Sequence, residues 1–199
     1  MGFSTLLDII SSFIIGGFLL LIIWRLHESA TRNTYINAGE LVVQRNLVEV
    51  VGLLEYDFRK IGYCSDWTKI PDPSKAIIEA KPDSISFLTD VDKDGNVDTL
   101  KYYLGSTAEL ASTENPRDRM LYRVVNNETP KGSNLGITQF ELLYFDVIGD
   151  TIQQPILIPG EINTMQINVR VENTAAYDTN YSNAFWRQIR LAARNLRNR

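Results

Sequence analysis

The stretch MGFSTLLDIISSFIIGGFLLLIIWRL, residues 1–26, decides the architecture of this chain. From Phe3 to Trp24, 22 residues carry a single charge, on Asp8. As a helix rising about 1.5 Å per residue, that run covers roughly 33 Å, enough to cross a bilayer core. Trp24 followed by Arg25 has the amphipathic-then-basic character of a membrane–water boundary. A secretory signal peptide would need a basic start, a shorter apolar run and a small-residue cleavage site. Here only the Met1 amine is positive, and WRLHESATRN, residues 24–33, has no such site. The segment therefore reads as an uncleaved anchor or as something more specific. Asp8 is the residue that must choose between them. A carboxylate in hydrocarbon costs at least ~2.5–3.5 kcal/mol, so it calls for a partner.

Moving outward, residues 25–61 contain no proline, and apolar residues recur at helical spacing: Ile36, Val43, Leu47, Val50, Leu54, Phe58 and Ile61. Glu40, Arg45, Glu49, Glu55, Asp57 and Arg59 supply an opposite polar face, on which Glu55 or Asp57 with Arg59 forms an ordinary surface pair. The apolar helix is thus expected to run on into an amphipathic half, giving about 59 residues or roughly 88 Å. Gly62 stands at the expected C′ position, and Gly16, Gly17, Gly39 and Gly52 are points where so long a helix would bend or fray.

After Ile70 the pattern changes to short strands between turn signals. SISFLTDV (84–91) and VDTLKYYL (97–104) flank an Asp94-Gly95 hairpin turn, and RMLYRVV (119–125), TQFELLYFD (138–146), TMQINVRVE (164–172) and AFWRQIRL (184–191) follow. Breaks at 126–136 and 156–162 separate several of them. One long helix followed by an antiparallel sheet predicts an α+β fold with the apolar stripe of the helix on one sheet face. The expected segments are a transmembrane half (3–24), an amphipathic half (25–62) and a β-rich domain (63–199).

Composition narrows the chemistry. The 199 residues are 44% hydrophobic and 22% charged, with net charge −4. That balance offers no global attraction to nucleic acid or acidic lipid, and nucleic acid is not an expected partner. A lone cysteine, Cys64, excludes an intramolecular disulfide, and a lone histidine, His27, leaves almost nothing for a zinc site or a histidine-based triad. There is no Gly-rich phosphate loop or nucleophile elbow, so no catalytic residues are nominated and a non-enzymatic role is expected. His27 reads as an interfacial surface residue and Cys64 as a small buried one. Tyr102, Tyr103, Tyr122, Tyr144 and Phe145 read as core or cross-strand aromatics.

Two charged motifs remain. Asp90, Asp92, Asp94, Gly95 and Asp98 form D-x-D-x-D-G-x-x-D, oxygen-rich spacing that suits a hard cation such as calcium. An EF-hand needs Glu at its twelfth position, which here is Lys101, and the flanks read as strands. A looser calcium turn and a plain solvated hairpin both stay open. At the other end, NAFWRQIRLAARNLRNR carries Arg187, Arg190, Arg194, Arg197 and Arg199. It reads as a final strand running into a basic end, or as a basic helix suited to anionic lipid, DNA or an acidic partner.

Taken together, GFSTLLD (2–8), the long amphipathic helix, ISFLTDVDKDGNVDTLKYYL (85–104) and FWRQIRLAARNLR (185–197) resemble the type IV pilin and type II secretion pseudopilin superfamily, nearest to its larger minor members. The resemblance implies a short prepilin leader, residues 1–2, cut after Gly2 by prepilin peptidase to leave Phe3 as the new N-terminus. It implies a precursor held by a single pass in the inner membrane, with most of the chain outside the cytoplasm, that assembles with other pilin-like subunits into a filament or its tip. In the family a carboxylate at the fifth mature position pairs with a neighbour's N-terminal amine. Here Leu7 is fifth from Phe3 and Asp8 sixth, an offset of about 100° around the helix. Arg25 and Arg32 follow the span, on the side that the positive-inside rule assigns to the cytoplasm and the resemblance to the outside. The competing expectation is a signal-anchored binding module that never polymerises, with calcium as a stabiliser.

Overall fold

The structure is a computed structural model that describes residues 2–175 and 181–191, without the side chains of 188–191. It has one long helix and one antiparallel sheet, the expected α+β class. Helix α1 spans Gly2–Phe58. The chain divides into a unit of residues 1–39, whose described residues all belong to α1, and a unit of residues 40–199.

Among the described residues, the second unit contains the last turns of α1 and seven strands: β1 (Ile77–Ala80), β2 (Ser84–Thr89), β3 (Asp98–Leu104), β4 (Arg119–Val125), β5 (Lys131–Phe145), β6 (Thr164–Glu172) and β7 (Asn183–Leu191). They pair in chain order, each antiparallel to the next, as a plain meander. Antiparallel neighbours need only short connections, so this sequence of runs and turns folds locally, strand upon strand.

The apolar stripe of α1 covers one face of this sheet. Val43, Val50, Leu54 and Phe58 are buried, with Leu47 partly so and Ile61 just beyond the helix. The Phe58 ring meets Phe87 of β2 edge-on and Tyr102 of β3 at a tilt, each with centroids 5.6 Å apart. β6 shows the alternation most clearly. Met165, Ile167, Val169 and Val171 are fully buried in the core, while Gln166, Asn168, Arg170 and Glu172 occupy the other face. Tyr102 and Tyr144 are core residues, and Tyr103 stacks on Tyr122 across β3 and β4 at 5.0 Å.

Three boundaries differ from the sequence reading. α1 ends at Phe58 and tapers through tight turns, Lys60 N–H to Asp57 C=O and Ile61 N–H to Phe58 C=O. Gly62 does adopt φ 72°, but its N–H goes to the Leu88 carbonyl of β2, tying the end of the helix to the sheet. β5 begins at Lys131, inside the stretch read as a break, because Gly136, at φ 70°, lies in the irregularity where β5 pairs with β4 between Ser133 and Ile137. A Cβ on Gly136 would stand 2.1 Å from the Glu172 carbonyl oxygen, so only glycine lets β5 approach the end of β6 there. β1 went unread. Its four residues are too few for an alternation pattern to register.

Candidate functional site

In the first unit, Asp8 lies on a helix face with Ser12 and Gly16 at successive turns, flanked by Ile9, Phe13, Gly17 and Leu20. The Ser12 hydroxyl donates to the Asp8 backbone carbonyl at 2.8 Å, not to its carboxylate. Phe3 is 80% exposed, and every large apolar residue from there to Leu26 is between about half and four-fifths exposed. Burying one such side chain contributes on the order of 1.5–3 kcal/mol, so the run demands tens of kcal/mol of cover from its surroundings. This is one helix long and apolar enough to span a membrane. Gly2 and Phe3 belong to it, and Met1 lies outside the described residues.

In the second unit, the acidic turn joins β2 to β3. Asp90 is fully buried, and its carboxylate accepts N–H bonds from Ser65 at 3.0 Å, Lys93 at 2.6 Å and Gly95 at 3.1 Å. Burial pushes this carboxyl up, but those donors and the Ser65 hydroxyl outweigh it and hold Asp90 below the usual carboxylate range. Asp98 accepts from the Val91 N–H at 3.0 Å and the Asn126 amide at 2.8 Å. Asp92 accepts the Asp94 N–H at 3.1 Å. Asp94 turns to the Asn96 backbone and side chain at 2.7 and 2.6 Å, which lower its pKa. Lys93 at φ 68° and Gly95 at φ 81° close the loop.

Of the four aspartates, the structure brings Asp90, Asp92 and Asp98 together, with one oxygen of each within 4.8 Å of the others, and leaves Asp94 apart. These are hard oxygen donors, which fits calcium in kind. Three carboxylates are fewer than the six to eight oxygens that calcium takes, so carbonyls or water would complete such a shell. Cys64 is buried beside this turn, with Sγ 3.6 Å from the Gly95 carbonyl.

Of the basic end, Arg187 is exposed on β7 and its Nε donates to the Asn168 side-chain oxygen at 3.1 Å. The Arg190 side chain, Arg194, Arg197 and Arg199 lie outside the described residues.

The sequence reading missed a buried polar anchor. Asp57 is not on the polar face of α1, nor is it paired with Arg59. It is 1% exposed, accepts the Tyr102 hydroxyl at 2.5 Å, and receives Arg123 through Nε at 2.7 Å and a second nitrogen at 3.4 Å. Arg59 pairs with Glu55, at 3.9 Å on the surface. The signal was present: position 57 follows Val50 by seven residues and Leu54 by three, which puts its carboxylate on the apolar stripe. A second group lies nearer the surface, where exposed Arg117 meets buried Glu172 at 2.7 Å and the Asn115 amide reaches the same oxygen at 3.1 Å.

A helix able to span a membrane, followed by an antiparallel sheet under the helix's amphipathic end, defines an α+β protein compatible with a pilin-like fold. No protein-family model, curated protein or solved structure matches the chain.

Proposed function

We propose that the chain is a minor pilin- or pseudopilin-like structural subunit, held in the membrane as a precursor and built into a filament or its tip through α1. One observation carries this reading: an apolar helix with no cover in its own unit continues, as one element, into a half that is buried on a β domain. Such a helix can exchange lipid for the helices of neighbouring subunits, because both surroundings bury the same apolar surface. Asp8 then supplies the charge that a neighbour's N-terminal amine neutralises inside a low-dielectric bundle. The β domain forms the outer surface, and the acidic turn is a site where calcium would stiffen the β2–β3 connection.

The test is the mature N-terminus of protein recovered from its native membranes. A chain beginning at Phe3, together with loss of filament incorporation in Asp8→Ala, is the expected result. Retention of Met1-Gly2 with a monomeric protein would overturn it and favour an anchored, non-polymerising binding module. The position of Asp8, sixth rather than fifth from Phe3, is the feature that favours that second reading.

A further inference from the structure

The face of the β6–β7 ribbon opposite the core carries a built cationic strip. Register sets Phe185 opposite Arg170 and Arg187 opposite Asn168, so all four point to that face. The Phe185 ring, 44% exposed, is flanked by the guanidinium groups of Arg170 at 5.9 Å and Arg187 at 5.4 Å. Both arginines are exposed, and among the described residues neither has a carboxylate within ion-pair distance. From Asn183 to Arg199 the sequence has five arginines and no acid, although the chain as a whole is net negative.

The opposite charge lies at the far corner of the same sheet. The turn of residues 90–98 carries four aspartates and one lysine, and its exposed Asp92 and Asp94 have no ion-pair partner among the described residues. That turn leaves the ends of β2 and β3 at Thr89 and Asp98. Counted from β3, Arg170 lies three strands away and Phe185 four, both beyond the opposite end of β4, since Arg119 pairs with Ile137 and Ile137 with Val171. Within one chain the two surfaces do not meet.

We propose that the Arg170–Phe185–Arg187 face docks on the Asp92–Asp94 turn of a second copy of this chain. The contact is heterologous, so it leaves an unused partner surface at each end and extends rather than closes. It rests on the filament reading above and names the outer contact that would accompany helix packing. Aromatic stacking holds the two guanidiniums in place, which lowers the entropy lost on docking.

The experiment uses the full chain, one copy per phosphatidylcholine nanodisc so that α1 cannot associate, with donor and acceptor fluorophores on separate discs. In calcium-free buffer, so that Asp92 keeps its charge, wild-type discs should associate at about 50 mM salt and separate at about 500 mM, where screening shortens the reach of charge. Arg170→Glu with Arg187→Glu should weaken association by roughly tenfold or more, since attraction becomes repulsion. Asp92→Asn with Asp94→Asn keeps the acceptor oxygens that build the turn and should also weaken it. A single chain carrying all four substitutions, Arg170→Glu, Arg187→Glu, Asp92→Lys and Asp94→Lys, has no native pair left and should regain association with itself through the reversed charges. The proposal is overturned if wild-type discs do not associate, if the reversals leave association intact, or if they abolish binding to anionic vesicles or a single-stranded oligonucleotide instead. An unprocessed N-terminus with the charge swap intact would sink the filament reading alone.

Discussion

Replacing Arg123 with alanine tests how the amphipathic end of α1 is held on the sheet. Asp57 is 2% exposed at its side chain and Arg123 21%, so losing the arginine strands a carboxylate in the core while its partner's place lies near the surface. Breaking a buried pair from one side costs about 3–5 kcal/mol, chiefly through the uncompensated charge. Asp57→Ala removes that charge but leaves the fully buried Tyr102 hydroxyl, whose pKa is pushed far up by burial and by Asp57, without its acceptor. An orphaned buried donor costs about 1–3 kcal/mol, and Arg123 can turn to water, so this variant should lose less than Arg123→Ala. The double variant Asp57→Ala with Arg123→Ala should then be more stable than the sum of the singles by about 1.5 kcal/mol or more. The assay is urea unfolding of the full chain in detergent micelles, followed by near-UV circular dichroism and by fluorescence of Trp186, which packs against the core. If Arg123→Ala costs under about 1 kcal/mol, or the two losses simply add, the anchor is not an electrostatic unit and the reasoning fails.

Further expectations concern the acidic turn and Gly136. The folded pKa of Asp90 lies below its ordinary 3.8, so its contribution is present above that value and is lost as pH falls through the folded pKa. Asp90→Asn should flatten the acid limb of the stability profile below about pH 4, and an unchanged acid limb would contradict the assignment. Calcium should raise the unfolding midpoint of the wild type and not of Asp92→Asn with Asp98→Asn; no shift at millimolar calcium would remove the ion from the account. Gly136→Ala must displace β5 from the Glu172 carbonyl and adopt a left-handed backbone. It should destabilise by more than the ~1 kcal/mol typical of an ordinary glycine position, and hydrogen exchange in β5 and β6 would locate the loss.

The membrane-length helix, its amphipathic continuation and six of the seven strands were legible in residue order, because each is set by a period that neighbouring side chains share. β4 and β6 have the bounds that their alternation predicts. The hairpin turn followed from Asp94-Gly95, since a left-handed glycine there is a local requirement. Polar residues misled wherever their partner was remote in the chain. Asp57 was assigned to solvent because charge usually marks the exposed face, and its partners lie 45 and 66 residues away. Asp94 counted as a cation ligand by spacing, yet its carboxylate is turned to Asn96. Tertiary structure alone decided these, as it decided that Arg170 and Arg187 flank one ring from different strands. Local periodicity specifies which face a side chain occupies. What meets it there depends on register between strands, which only the assembled sheet supplies.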